Sequence, residues 1–377
     1  MMRFTFALTL LLLATAAALP CSLCPGLQNS APFRQELTQS KLVLYGTLAN
    51  PKLGPGGMGG TVELHIDSVL KHDPFIGNQK VIVLNRYVPL DPKNPPKYLV
   101  FCDVFNNKLD PYRALPLKSA AAVDYLRGAA ALDPKDRTTA LHYFFRYLDS
   151  TDSDVASDAY LEFARSTDAE VGNVAKKLDP EKLRRLVNDA ATPPERIGLF
   201  AFLLGACGTE REAEFLRTLV EKPTEKTSRA QDGILAGYMQ MRPREGWALG
   251  LKILQDPKRP FTEREAVLRA MRFFHGWKGD EYRKEIMEGM RLLLPQGDIA
   301  DLAVEDLRKW GWWDLTPTVL GLYGKESHKA PILQRGLIRY ALKCPLPAAT
   351  DFVARVKQQD PATVKDIEEA LEFEKKK

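Results

Sequence analysis

Two periods divide the chain. From Lys41 to Leu115 apolar residues come in short runs or alternate with polar ones, and from Lys118 onward they recur at about 3.6 residues. In the first region Lys41–Tyr45 is apolar on both faces, as a central strand would be. Val62, Leu64 and Ile66 alternate with Glu63, His65 and Asp67, the pattern of a half-buried strand. Lys80–Leu84, Tyr98–Phe101 and Tyr112–Leu115 supply three further strand-like runs. A glycine-rich stretch from Gly54 to Gly60 predicts a hairpin loop; no Lys-Ser/Thr and no helix come after it, so it is no phosphate cradle. Asp91–Pro96 is a proline-stiffened connection, and Ala31–Leu37 predicts a short helix. Four or five short strands within a hundred residues predict a small closed barrel or sandwich.

The second region predicts helix after helix, beginning with Ala120–Leu126 and Thr138–Leu148. Asp-Pro pairs at Asp133, Asp179 and Asp360 offer a capping acid before a first-turn proline. Thr192/Glu195, Thr209/Glu212, Ser228/Gln231 and Thr262/Glu265 have the spacing of capping boxes. Leu199, Leu203 and Cys207 form one stripe with Phe200 and Leu204 beside it, a helix apolar nearly all round that should be central, whereas its successor turns Ala213, Leu216 and Val220 inward. A small residue opens an apolar helical run at Gly198, Gly233, Ala266, Ala303 and Gly336, 33 to 37 residues apart. Helix pairs that stack need such positions, because their backbones approach closely there. The block resembles HEAT-like α-solenoid repeats, with a charged terminal helix as its cap.

Chemistry enters through the N-terminus. Arg3, an apolar run from Phe4 to Leu13 and the small residues Ala14–Ala18 form the layout of a secretory signal peptide over residues 1–18, cut after Ala18 or Ala16. No other segment is long and apolar enough to cross a bilayer. Export to the periplasm, cell surface or medium implies an oxidising compartment, so Cys21, Cys24 and Cys102 become disulfide candidates, paired to each other or across. A redox Cys-x-x-Cys remains open, although no strand precedes it and Pro25-Gly26 interrupts the chain where a helix should begin. Zinc lacks a second ligand pair, and Cys207 and Cys344 sit within helical patterns as apolar packers.

The cysteines at the mature N-terminus, the short helix, Leu42–Gly46, Val62–Lys71 and Tyr98–Phe101 resemble the netrin-type module, the OB-like barrel shared with tissue inhibitors of metalloproteases. The resemblance implies an OB-like β module over residues 19–116, ahead of a helical repeat domain over 117–377. It departs at Cys21-Ser-Leu-Cys24, where the family has Cys-x-Cys, and at the cleavage site, which leaves no cysteine as the first residue. The fold is therefore carried over and the inhibition is not.

The expected class is α+β: an OB-like barrel, then a HEAT-like solenoid. At 45% hydrophobic, 27% charged and a net charge of +5, the 377-residue chain is an ordinary folded protein with no basic face for nucleic acid. Trp310, Trp312 and Trp313, with Trp277 one repeat earlier, are the candidate binding surface; Trp310 and Trp313 read as sharing a helical face, which equally suits core packing. Asp149, Asp152, Asp154 and Asp158 lack the glycine and distal glutamate of a calcium loop and read as helix caps. His65 and His72 read as surface residues, and His142, His275 and His328 have no catalytic partner motif. No cofactor or metal pattern is present. The function this predicts is non-catalytic binding or scaffolding of another protein outside the cytoplasm, with a Cys21/Cys24 thiol oxidoreductase or a protease inhibitor as alternatives.

Overall fold

The computed structural model describes residues 21–24, 31–117 and 121–375. After α1 (Phe33–Gln39) come five strands: β1 (Leu42–Leu53), β2 (Gly60–Lys71), β3 (Val81–Leu84), β4 (Lys97–Phe105) and β5 (Lys108–Leu117). All pairings are antiparallel, in the order β3-β2-β1-β4-β5, so β1 is the central strand its two apolar faces demand. No ladder joins β3 to β5 among the described residues. In the β1–β2 loop Gly56, Gly57 and Gly59 take φ of 70°, 77° and 66°, which explains the glycines as turn residues. Asn106 and Asn107, at φ 51° and 55°, make the tight turn that lets β4 and β5 run longer than their apolar runs suggest.

Alternate residues of the sheet enter two cores. Leu42, Leu44, Leu64, Val100 and Cys102 pack with Ile82 and Leu84 on one face. Val43, Tyr45, Leu99, Phe101 and Leu117 point the other way, into the main core built by the helices. Each such side chain contributes roughly 1.5–3 kcal/mol relative to exposure, so this face ties the sheet to the helical part.

The next helices are α2 (Ala121–Ala130), α3 (Arg137–Phe145), α4 (Ser153–Ala164), α5 (Asp168–Val174), α6 (Pro180–Asn188), α7 (Pro194–Cys207), α8 (Glu210–Glu221) and α9 (Glu225–Ser228). Then come α10 (Gln231–Met241), α11 (Pro243–Gln255), α12 (Phe261–Lys278), α13 (Arg283–Leu293) and α14 (Ala300–Trp310). The last are α15 (Thr316–Leu320), α16 (Pro331–Lys343), α17 (Pro347–Gln359) and α18 (Pro361–Lys375). Residues Ile197–Gly205 of α7 are all buried, as its apolar circumference requires. Helix α7 packs on α10 and α10 on α12; α14 packs on α16 and α16 on α18. Helix α8 also lies against α10, α11 against α13 and α15 against α17.

Arginine–carboxylate bonds tie neighbouring elements together at intervals of 28 to 34 residues: Arg184–Glu212 at 2.8 Å, Arg264–Asp298 at 3.0 Å, Arg272–Asp306 at 2.7 Å and Arg283–Asp314 at 2.6 Å. Among the capping boxes, Thr209 and Glu212 close as expected, with the Thr209 N–H donating to Glu212 at 2.9 Å. Thr192, Ser228 and Thr262 do not cap. Pro193, Ala230 and Pro260 take the capping position instead, because the start of each helix obeys its packing face and the adjacent proline or tight turn. Asp179 and Asp360 cap as their Asp-Pro pairs predict, while Asp136 caps α3 in place of Asp133.

The close approach expected at the small residues holds where α7 meets α10. A Cβ on Gly233 would lie 2.1–2.4 Å from the Gly198 backbone, whereas one on Gly336 would meet nothing within 4 Å. Gly233→Ala should therefore destabilise the fold by roughly 1–3 kcal/mol through overpacking. Gly336→Ala should be neutral or stabilise it by up to about 1 kcal/mol. Urea unfolding of both variants checks the pair.

Candidate functional site

The N-terminal cysteines sit inside the protein. Cys21–Cys24 is a tight turn closed by the Cys24 N–H donating to the Cys21 carbonyl at 3.2 Å. Both cysteines are fully buried, and Leu23 is 1% exposed. Between them Ser22 donates its N–H and its hydroxyl to the two oxygens of Asp168, at 2.8 and 2.9 Å. Space for this grip comes from glycine: a Cβ on Gly276 would lie 2.5 Å from the Asp168 carboxylate. Burial pushes the Asp168 carboxyl up to about 7, against the pull of the Ser22 bonds.

The Cys21 and Cys24 sulfurs are 3.2 Å apart. Burial, with Cys24 beside it, raises the Cys21 thiol well above its ordinary value. A nucleophilic thiolate needs the opposite, an exposed and electropositive setting. A cysteine that reached out to chelate an inhibited enzyme's zinc would also need exposure. Cys102 faces the sheet's own core, on the side away from the helices, so the bridging partner within reach of Cys21 is Cys24. Cys207 bonds the Leu203 carbonyl at 3.2 Å and Cys344 lies 3.4 Å from the Thr316 hydroxyl, packing as helical residues.

A second buried carboxylate holds the next stretch of chain. Asp158 on α4 accepts the Phe33 N–H at 2.7 Å and the Tyr125 hydroxyl at 2.6 Å, and burial raises its carboxyl to about 7. One turn on, Glu162 receives Arg34 through two bonds of 3.1 Å and shares one of the same oxygens with Arg137 at 3.4 Å. Between α1, β5, α4 and α7 lies a cleft of about 460 Å3 lined by Phe33, Arg113, Leu117, Ser157, Asp158 and Arg196. The rest of the aspartate cluster divides as caps and ties: Asp152 accepts the Asp154 N–H at 3.0 Å and Asp149 pairs with Lys182. Among the described residues no group of three metal-ligating side chains forms. Sequence reading grouped Asp158 with the caps and passed over Asp168; an acid inside an otherwise apolar helical face was the available signal.

None of the four candidate tryptophans is fully exposed. Trp277 lies over Gly172, where a Cβ would come within 2.3 Å of its ring, and stands edge-on to Phe202 at 5.6 Å. Trp310 stacks on His275 at 4.0 Å, and Trp312 lies under Arg283 at 4.2 Å. Gly311, left-handed at φ 66°, ends α14, so Trp313 leaves the helix and packs on Tyr340 at 5.0 Å; the shared helical face with Trp310 does not form. A groove lies between α11 and α13, with Trp247 and Tyr282 themselves buried at its base. It measures about 750 Å3 and is lined by Trp247, Ala248, Leu251, Tyr282, Met287 and the Glu288–Arg291 pair. Sequence reading missed Trp247 because it lies alone in its helix.

Three of the histidines, His65, His275 and His328, have structural partners. His65 pairs with Glu63, and His328 is buried between the Leu294 carbonyl and Ser327. Burial and then Arg283 depress His275 to about 4, with Asp280 opposing. From about pH 6.5 down to about 4 the unfolded chain binds a proton that folded His275 refuses, so this residue makes stability fall on acidification. Asp158 and Asp168 act in the opposite sense: between about pH 4 and 7 they hold protons that the unfolded chain has released, so their contribution falls as pH rises. In thermal melts from pH 4 to 8, His275→Gln should lessen the acid-side loss and Asp168→Asn the loss towards neutrality. No family model, curated protein or solved structure matches the chain, so its chemistry is read from these contacts.

Proposed function

We propose that the chain is an exported, non-catalytic protein that binds or scaffolds another protein, built as an OB-like β module joined to HEAT-like helical repeats. The observation that carries this reading is the succession of helix contacts, α7 on α10, α10 on α12, α14 on α16 and α16 on α18, with arginine–carboxylate bonds about one repeat apart at Arg184–Glu212, Arg264–Asp298 and Arg272–Asp306. Stacked helix pairs form long ridged surfaces suited to another protein's surface or peptide. The sheet order, with β1 between β2 and β4, supports the OB-like reading of the first region. The buried carboxylates Asp158 and Asp168 are taken up by contacts between segments of the chain, Phe33 for one and Ser22 for the other.

The proposed binding surface is the groove between α11 and α13. Its apolar floor of Trp247, Leu251 and Met287 is rimmed by Arg244, Lys284 and Glu285, the apolar centre and polar edge that protein interfaces share.

Ala248 is exposed in this groove, so Ala248→Glu places a charge in it without touching the core. Cross-linking and then affinity capture from the exported fraction should give one partner protein at near-equal amounts, reduced at least about tenfold by this variant at unchanged melting temperature, as a buried unpaired charge requires. Capture that is indifferent to Ala248→Glu would sink the groove. Residence of the chain in the cytoplasm would sink the export.

A further inference from the structure

The N-terminal turn is more deeply set than its position in the chain requires. Under the proposed export this turn would stand at the start of the mature chain, where a segment is ordinarily frayed. Here Cys21, Leu23 and Cys24 are enclosed by the main core, with Asp168 gripping Ser22 from α5 and the Leu23 carbonyl 3.7 Å from where a Cβ on Gly198 of α7 would stand. Tyr160 of α4 borders the same sulfurs, and its hydroxyl is raised by burial and then by Cys24 and Cys21. A few residues later Phe33 and Arg34 are held by Asp158 and Glu162 of α4. The turn therefore clasps the start of the β region to the helices.

We propose that Cys21 and Cys24 are a disulfide site, and that the bridged turn is a clasp whose seating on Asp168 shields the bond from reductants. One observation carries the bridge and a second the shielding. The backbone bond that closes the turn holds the two Cα atoms within about 7 Å, inside the span a disulfide bridges, and the sulfurs already face each other at 3.2 Å. Both sulfurs are also fully enclosed, so neither oxidant nor reductant reaches them while the turn is seated.

In the bridging step the two S–H bonds break and one S–S bond forms. The two protons and two electrons pass to a disulfide oxidant, such as glutathione disulfide, which leaves as two thiols. Because exchange requires an accessible thiolate, the bond forms before the turn seats, while the segment is outside the core. Seating then places the bond beyond reach, and Ser22–Asp168 controls how often it re-emerges. The inference deepens the proposal of export by naming the pairing that an oxidising compartment would produce.

The test is made on the purified full chain, so it stands apart from where the cell keeps the protein. The chain is refolded with glutathione disulfide, digested and mass-mapped; a Cys21–Cys24 link is expected, with Cys102, Cys207 and Cys344 recovered as thiols. Reduction of the folded protein by dithiothreitol is then timed. Asp168→Ala should speed it about tenfold or more, the effect of losing two hydrogen bonds that hold the turn shut. Should that variant fail to fold, Ser22→Ala removes one of the two bonds and should show a smaller acceleration in the same sense. In denaturant the wild type and variants should reduce equally fast. A bridge to Cys102, a dithiol that survives oxidation, or a folded wild type reduced as fast as the unfolded chain would each overturn the proposal. A bridged clasp in a chain that stays in the cytoplasm would overturn export alone.

Discussion

A carboxylate taken out of water must be given donors or a proton. Asp158 and Asp168 are both buried, and the donors that meet them come largely from the other end of the fold: Ser22 for one, Phe33 and Tyr125 for the other. The N-terminal segment is thus held by the needs of α4 and α5 as well as by its own burial. With that segment seated, the sheet face carrying Val43, Tyr45, Leu99 and Phe101 closes on the helices as one core.

The same economy runs through the helical part. Glycines let α7 and α10 come together, so that a single methyl at Gly233 would meet the backbone opposite. Arginines reach from one helix to a carboxylate on another, as Arg272 of α12 does to Asp306 of α14, whose carboxyl burial raises to about 6 while Arg272 draws it down. Such pairs add less to stability than to register, since desolvation offsets much of their attraction.

Legibility tracked the range of the interactions. The strands were readable because one pleated face alternates over four or five residues, and α7 because its whole circumference is apolar. The longer reach of β4 and β5 was not, since it depends on Asn106 and Asn107 accepting positive φ and not on apolar pattern. Capping boxes at Thr192, Ser228 and Thr262 had the right spacing, yet the helix started elsewhere by one or two residues. The tryptophans were visible as composition, but Gly311 turned Trp313 out of the helix and each ring found a neighbour inside the chain.

By itself the sequence determined the two periods, the division into strands and helices, the central place of β1 and α7 and the recurring small residues, because all of these are set by side chains a few positions apart. Only the tertiary structure decided that Cys21 faces Cys24 across 3.2 Å while Cys102 lies in a different core, that Asp158 and Asp168 hold the N-terminal segment, and that Trp247 floors a groove. Those contacts join residues far apart in the chain. A residue's type tells what it can bond, and packing alone tells what it meets.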